Sequence, residues 1–122
     1  MRKDFLVFAS PLIEEPEIKE VVDSLRSGWI GTGPKVKRFE ELFSSYKGVK
    51  NAVALNSCTA ALHLAMRALD IKKGDEVIVP TMTFAATANA VIHAGGTPVL
   101  VDCEKDTMNI DPIDVKKKIT KK

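Results

Sequence analysis

The turn at residues 56–61, which reads N-S-C-T-A-A, is the segment best suited to hold an anion. It joins a predicted strand to a predicted helix, and in an open α/β sheet ligands bind beyond the carboxyl ends of strands. The first N–H groups of a helix lack partners inside it and can hold a phosphate. The hydroxyls of Ser57 and Thr59 would add hydrogen bonds, and small residues such as Ala60 would let the anion approach. The turn is at least as typical of an ordinary capped helix, since it is neither a GxGxxG motif nor a P-loop.

A second segment, residues 80–87 (P-T-M-T-F-A-A-T), follows the next predicted strand. If the strands are parallel, it falls at the same edge of the sheet as residues 56–61. Phe84 could then lie over a flat cofactor ring, where offset stacking adds about 0.5–1.5 kcal/mol beyond burial. The alternative is a core phenylalanine at a helix start, and the segment alone favours that alternative.

Other residues with chemical potential have simpler structural roles. Asp102 ends the third predicted strand, where it could be a functional acid, although the position favours capping of the following turn. His63 and His93 have no metal-ligand spacing around them, so the sequence predicts packing or surface roles and no metal site. Cys58 has no histidine beside it in the sequence and is predicted to be a small turn residue rather than a nucleophile.

The segment W-I-G-T-G-P at residues 29–34 contains two glycines and a proline, which indicates a loop. It could shape the rim of a ligand site, or it could be an ordinary connection between two helices. The residues concerned are Trp29, Gly31, Thr32 and Gly33.

Two helices are predicted before the first strand. The first has Pro16 in its first turn and ends at Gly28, with apolar residues at the spacing of one buried face. Its apolar residues are Ile18, Val21, Val22 and Leu25. The second begins near Pro34 and ends at Gly48. Its apolar face carries Val36, Phe39, Phe43 and Tyr46.

Short apolar runs alternate with helical stretches from residue 51 onward. Strands are predicted at residues 51–55, 76–79 and 99–102, and helices at 60–69, 84–93 and 111–119. Strands that alternate with helices of this length predict parallel pairing. The sequence therefore predicts an α/β fold with helices packed on a mostly parallel sheet, in a single partial domain over residues 1–122.

Composition excludes several classes of protein. The 122 residues carry 18 Lys and Arg against 16 Asp and Glu, with no basic stripe, so no nucleic-acid partner is expected. No apolar run approaches the roughly 18 residues that a membrane span needs, and no membrane partner is expected. Two cysteines without a signal peptide predict a reducing cytoplasm.

Five motifs, taken in order over residues 24–112, resemble one enzyme family. They read G-W-I-G-T-G-P-K-V, F-E-E-L-F, N-S-C-T-A-A-L-H-L-A, G-D-E-V-I-V-P-T-M-T-F-A-A-T-A-N-A-V and G-G-T-P-V-L-V-D. Over this range the chain is similar to the N-terminal part of the large domain in the DegT/DnrJ/EryC1/StrS sugar aminotransferases. Members have the fold of the fold-type I, aspartate aminotransferase-like enzymes. Each motif is modest evidence alone, whereas their order with almost no gaps is specific.

The resemblance implies a pyridoxal 5'-phosphate (PLP) enzyme. Members move an amino group, usually from glutamate, to a keto group of a nucleotide-linked sugar for surface polysaccharides and related glycans, and usually act as homodimers. Ser57, Thr59 and Ala60 match positions that hold the PLP phosphate, and Phe84 matches an aromatic residue against the pyridine ring. The loop at 29–34 matches a segment near the active site, which implies substrate contact by Trp29, Gly31, Thr32 and Gly33.

Two features depart from the family pattern. Cys58 stands where many members carry Gly, although a cysteine is small enough for the same turn. Members are also several-fold longer, and the resemblance puts the Schiff-base lysine, the aspartate at the pyridine nitrogen and the small domain beyond residue 122. We therefore expect no catalytic residue in this chain, weak or absent PLP binding by the chain alone, and no transaminase activity from it.

Two alternatives stay open. Another fold-type I PLP enzyme, such as a desulfurase or a dehydratase, would share the fold, although the T-G-P-K-V and T-F-x-A-T-A-N motifs argue against it. A non-catalytic remnant acting as a binding or dimerisation module would need no downstream lysine. In either case, uncovered strand edges and helix faces predict that the isolated chain associates with itself or with segments outside it.

Overall fold

The computed structural model describes residues 9–121, and the chain falls into two compact units, Met1–Ala54 and Leu55–Lys122. The first unit contains two helices and the second a small sheet with three helices. In chain order the elements are α1 (Glu15–Ser27), α2 (Pro34–Lys47), α3 (Cys58–Ala68), β1 (Glu76–Pro80), α4 (Ala86–Ala94), β2 (Thr97–Val101) and α5 (Pro112–Lys118). The single partial domain predicted over residues 1–122 is part of a larger domain than either of these units. It stays a prediction.

Local residue chemistry sets the ends of α1. Pro16 lies in its first turn, and the Glu17 carboxylate accepts the backbone N–H of Glu14 at 2.8 Å. Gly28 ends the helix at φ +73°, a left-handed backbone conformation that residues other than glycine rarely adopt. Helix α2 begins at Pro34 and is closed by Gly48. The predicted starts and ends of both helices are confirmed to within about one residue.

The apolar faces of α1 and α2 are exposed within the described residues. Ile18 is 46% exposed, Leu25 is 64% exposed, and Phe39 on α2 is 57% exposed. The prediction that α1 has a buried face is therefore wrong for residues 9–121, where neither helix contains a buried residue. Periodicity identifies the side chains that share a face, but what covers the face depends on other segments.

The second unit is organised around the parallel pair β1 and β2, with Glu76 opposite Thr97 and Pro80 opposite Val101. Helix α4, which connects them, packs on both strands. Its alanines and one valine form most of a thin core. The buried residues are Val79, Ala86, Ala90, Val91, Ala94 and Val101. The predicted β-α-β order and parallel pairing are confirmed for these two strands.

Residues 51–55, predicted as a first strand, form no strand among the described residues. The backbone N–H of Ala54 instead donates to the Glu40 carboxylate at 2.8 Å, and Val53 is 76% exposed. An apolar run becomes a strand only when a neighbour pairs with it, and residues 9–121 supply no neighbour for this one. The prediction of three strands is therefore wrong for residues 9–121, which contain two.

Helices α3 and α4 pack side by side, and the proximity of their C-terminal ends indicates that they run in the same direction. The backbone N–H of Ile71 donates to the Met66 carbonyl at the end of α3, while Gly96 donates to Val91 at the end of α4. A Cβ on Gly96 would lie 2.7 Å from the Ile71 side chain, so the two C-terminal ends are adjacent. Both ends lead into the amino ends of the strands. The N-termini of α3 and α4 therefore point toward the carboxyl edge of the sheet.

Candidate functional site

The turn before α3 caps the start of the helix and contains two backbone N–H groups that have no hydrogen-bond acceptor in residues 9–121. The Ser57 hydroxyl oxygen accepts the backbone N–H of Ala60, and the Ser57 carbonyl accepts that of Ala61, both at 3.1 Å. Nothing in residues 9–121 accepts a hydrogen bond from the backbone N–H of Cys58 or Thr59. Ser57, Cys58 and Thr59 are all exposed, so a ligand could reach both donors.

The charge around this helix start also suits an anion. Helix α3 has no acidic residue in its first turn, whereas α1 has Glu15 and Glu17 there. The positive end of the α3 dipole is therefore not offset by a side chain of its own first turn. The Ser57 cap uses an oxygen lone pair, which leaves the hydroxyl hydrogen available to donate. The Ala60 N–H, a predicted phosphate contact, is already engaged by Ser57.

Phe84 lies on the surface between β1 and α4, with 81% of it exposed. The alternative of a core phenylalanine is therefore wrong for the described residues. The hydroxyls of Thr83 and Thr87 lie 2.8 Å apart, and the Phe84 carbonyl accepts the Thr87 N–H at 3.0 Å, which holds the turn. Since α3 and α4 are parallel, Phe84 and Ser57 stand at the same edge of the second unit.

Asp102, at the end of β2, is engaged in local structure. Its carboxylate accepts the backbone N–H of Cys103 at 2.8 Å, and its carbonyl accepts that of Asp111 at 2.9 Å. Its own N–H donates to the Asp114 carboxylate of α5 at 3.0 Å. Asp114 also pairs with Lys118 at 3.2 Å. These contacts fit the turn-capping role that the sequence favoured for Asp102, and they fasten α5 to the end of β2.

The Asp114 carboxyl is expected to titrate below its ordinary pKa of 3.8, because the Asp102 N–H and then Lys118 favour the charged form. With its pKa lowered by folding, the carboxylate stabilises the fold above pH 3.8 and loses that effect as pH falls through the folded pKa. A carbon-detected NMR titration of the labelled carboxyl measures this directly. Lys118→Met should raise the Asp114 pKa only part of the way toward 3.8, because the hydrogen bond from the Asp102 N–H remains. A wild-type pKa at or above 3.8 would contradict the geometry.

The loop at residues 29–34, in the first unit, is organised by its tryptophan. The Trp29 indole N–H donates to the Thr32 carbonyl at 2.9 Å. The indole also lies directly against Gly33, where an added Cβ would stand 1.8 Å from the indole nitrogen. Open grooves of about 450 and 380 Å³ border the indole. The predicted residues Trp29, Thr32 and Gly33 line the first, and Trp29, Gly31 and Gly33 line the second.

Lys35, in the first turn of α2, connects the end of this loop to α1, a contact that sequence reasoning missed. Its ammonium donates to the Glu20 carbonyl and pairs with the Glu20 carboxylate, both at 2.5 Å. The hydrogen bond and charge of Lys35 lower the pKa of Glu20. No sequence pattern indicates an ion pair between residues that are fifteen positions apart across a loop. The close contact of Gly33 with the Trp29 indole was likewise not predictable from the sequence.

The two histidines lie on neighbouring helices, with His63 half-buried on α3 and His93 exposed on α4. Their ring centroids are 6.0 Å apart. Within residues 9–121, no group of three or more His, Cys, Asp or Glu side chains could hold a metal ion. In the same part of the chain, no helix has the length and apolar character required to cross a membrane.

Comparison with known proteins identifies the family. The model of the DegT/DnrJ/EryC1/StrS aminotransferase family matches residues 11–122. The chain belongs to this family. A spore coat polysaccharide biosynthesis protein of Bacillus subtilis, SpsC, is 50% identical over 119 residues, which is 98% of this chain and 31% of the relative.

Solved structures agree with this assignment. Spr1654 of Streptococcus pneumoniae, a sugar aminotransferase solved in PMP, PLP and apo forms, is 50% identical, with a TM-score of 0.88 over 94% of this chain and 29% of that protein. A GDP-4-keto-6-deoxy-D-mannose-3-dehydratase of E. coli is 32% identical, with a TM-score of 0.86 over 93% of this chain and 31% of that one. The fold is thus the N-terminal portion of a fold-type I large domain, as predicted. The chain spans about 30% of the length of these relatives.

Proposed function

We propose that the whole protein is a PLP-dependent aminotransferase that moves an amino group from glutamate to a keto group of a nucleotide-linked sugar. The product would enter surface polysaccharide or a related glycan, which is supported by the similarity to the spore coat polysaccharide biosynthesis protein of B. subtilis. The observation that carries the proposal is the open helix start of α3, with the unpaired N–H groups of Cys58 and Thr59, in a chain of this family.

The residues at the carboxyl edge fit a cofactor with a phosphate and a flat ring. The N–H groups of Cys58 and Thr59 and the hydroxyls of Ser57 and Thr59 would hold the phosphate, while the Ser57 hydroxyl oxygen keeps its hydrogen bond from the Ala60 N–H. Phe84 would pack against the ring, since its exposed side chain stands at the same edge. PLP supplies an electron sink for amino-group transfer when it is bound.

The loop at residues 29–34 contacts the nucleotide-linked sugar in this proposal. The support is the pair of grooves beside the Trp29 indole, which Gly31, Thr32 and Gly33 help to line. The protein acts as a homodimer, for which the exposed apolar faces of α1 and α2 are the support. It works in the cytoplasm, in keeping with two free cysteines, Cys58 and Cys103.

The decisive assay uses the whole protein with PLP, glutamate and a panel of nucleotide-linked keto sugars. We expect 2-oxoglutarate and an amino sugar to form in equal amounts, measured by coupled assay and mass spectrometry. The dehydratase among the similar structures favours one alternative, removal of a hydroxyl from the sugar. A product that has lost oxygen without gaining nitrogen would replace the proposal with that alternative.

The 122-residue chain assayed alone should form no amino sugar, because no lysine in it matches the Schiff-base motif of the family. The whole protein is the positive control in the same buffer. Product formed by the 122-residue chain at a rate above the blank would show that the chemistry does not need the missing lysine, and this part of the proposal would be dropped.

A further inference from the structure

The facing histidines of α3 and α4 are the feature of the second unit that the proposed function does not use. The rings of His63 and His93 are 6.0 Å apart between centroids, with their planes inclined by 52°. His63 is half-buried and His93 is exposed, so solvent reaches the pair. The two helices pack against each other, which holds the imidazoles at this separation.

This separation suits a shared metal ion. A ring nitrogen binds Zn²⁺ at about 2.0–2.1 Å, so two imidazoles on one tetrahedral ion have ring centroids roughly 5 Å apart. The observed centroid separation of 6.0 Å is longer by roughly 1 Å, a difference that a small change in side-chain rotamer closes.

The surroundings define which ion would bind and how tightly. Helices α3 and α4 contain no carboxylate, so the ligands they offer are two imidazoles. Imidazole suits Zn²⁺, Cu²⁺ and Ni²⁺, whereas Mg²⁺ and Ca²⁺ prefer oxygen ligands. Arg67 lies one helical turn from His63 and weakens cation binding by its charge. Binding is therefore reversible and modest.

We propose that His63 and His93 bind one transition-metal ion of the imidazole-preferring class and so link α3 to α4. Water fills the remaining coordination positions. The link fixes the spacing of the two helices that start beside Ser57 and Phe84. The ion stabilises the second unit and takes no part in amino transfer, so the inference stands whether or not the proposed activity is correct.

The test is thermal unfolding of the whole protein with ZnCl2 or NiCl2 added, followed by excess EDTA. The expected result is a rise in Tm of a few degrees that EDTA reverses and that is lost in both His63→Gln and His93→Gln. Asn89→Ala, one turn before His93 on α4, is the matched control and should keep the full rise. An equal rise in the histidine variants and the wild type would overturn the proposal.

A second measurement needs no variant. Diethyl pyrocarbonate modifies accessible imidazoles, and mass spectrometry of peptides reads the modification at each histidine. Zinc should protect His63 and His93 together, at the same metal concentration that raises Tm. Modification of both residues at an unchanged rate in the presence of zinc would also overturn the proposal.

Discussion

Gly33→Ala is expected to drive the Trp29 indole out of its position, because the new Cβ would stand 1.8 Å from the indole nitrogen. The ring can leave only by rotating toward solvent, which breaks its hydrogen bond to the Thr32 carbonyl. Loss of that bond costs about 0.5–1.5 kcal/mol, enough to change which indole position is populated. The effect is steric, since the backbone of Gly33 is extended and any residue could adopt it.

Trp29 is the single tryptophan of the 122 residues, so its fluorescence reports on this loop alone in the isolated chain. Gly33→Ala should shift the emission to longer wavelength and increase quenching by acrylamide. Gly31→Ala is the matched control, because a Cβ there meets nothing within 4 Å. Equal spectra for Gly33→Ala and the wild type, or equal shifts for both variants, would show that Gly33 does not hold the indole.

The helix ends were predictable because their causes are local. Pro16 and Pro34 begin helices and Gly28 and Gly48 end them through conformations that each residue adopts by itself. The absence of the predicted strand at residues 51–55 was not foreseeable in this way, because pairing depends on a neighbour distant in sequence. For the same reason, periodicity located the apolar face of α1 but could not show that residues 9–121 leave it uncovered.

The candidate site likewise contains some features that follow from local residue chemistry and others that do not. That Ser57 caps a helix follows from its type and position, and the open N–H groups of Cys58 and Thr59 follow from the cap. The exposure of Phe84 does not follow, since a phenylalanine before a helix is as well suited to a core. The contact of Trp29 with Gly33 does not follow either, because composition indicates a loop but not its path.

Cys58→Asp should have opposite effects on helix stability and on cofactor binding, and this contrast tests the phosphate site. A carboxylate in the first turn of α3 interacts favourably with the helix dipole, by about 0.3–1 kcal/mol. The same carboxylate repels a phosphate bound to the N–H groups of Cys58 and Thr59. Two like charges 4 Å apart repel by about 4 kcal/mol at an effective dielectric constant near 20, so PLP affinity should fall roughly a hundredfold or more.

Two measurements on the whole apo-protein separate these effects: its Tm, and the PLP concentration that restores half of the activity. Cys58→Ser is the control, since it keeps a small neutral side chain at the same exposed position. We expect Cys58→Asp to keep or raise the apo Tm while it weakens PLP binding, and Cys58→Ser to change neither much. A loss of both properties would mean that Cys58 matters only for folding. Unchanged PLP affinity in Cys58→Asp would mean that the phosphate binds elsewhere. A carboxylate beside those two N–H groups would repel any phosphate that they bind, and the affinity would have to fall.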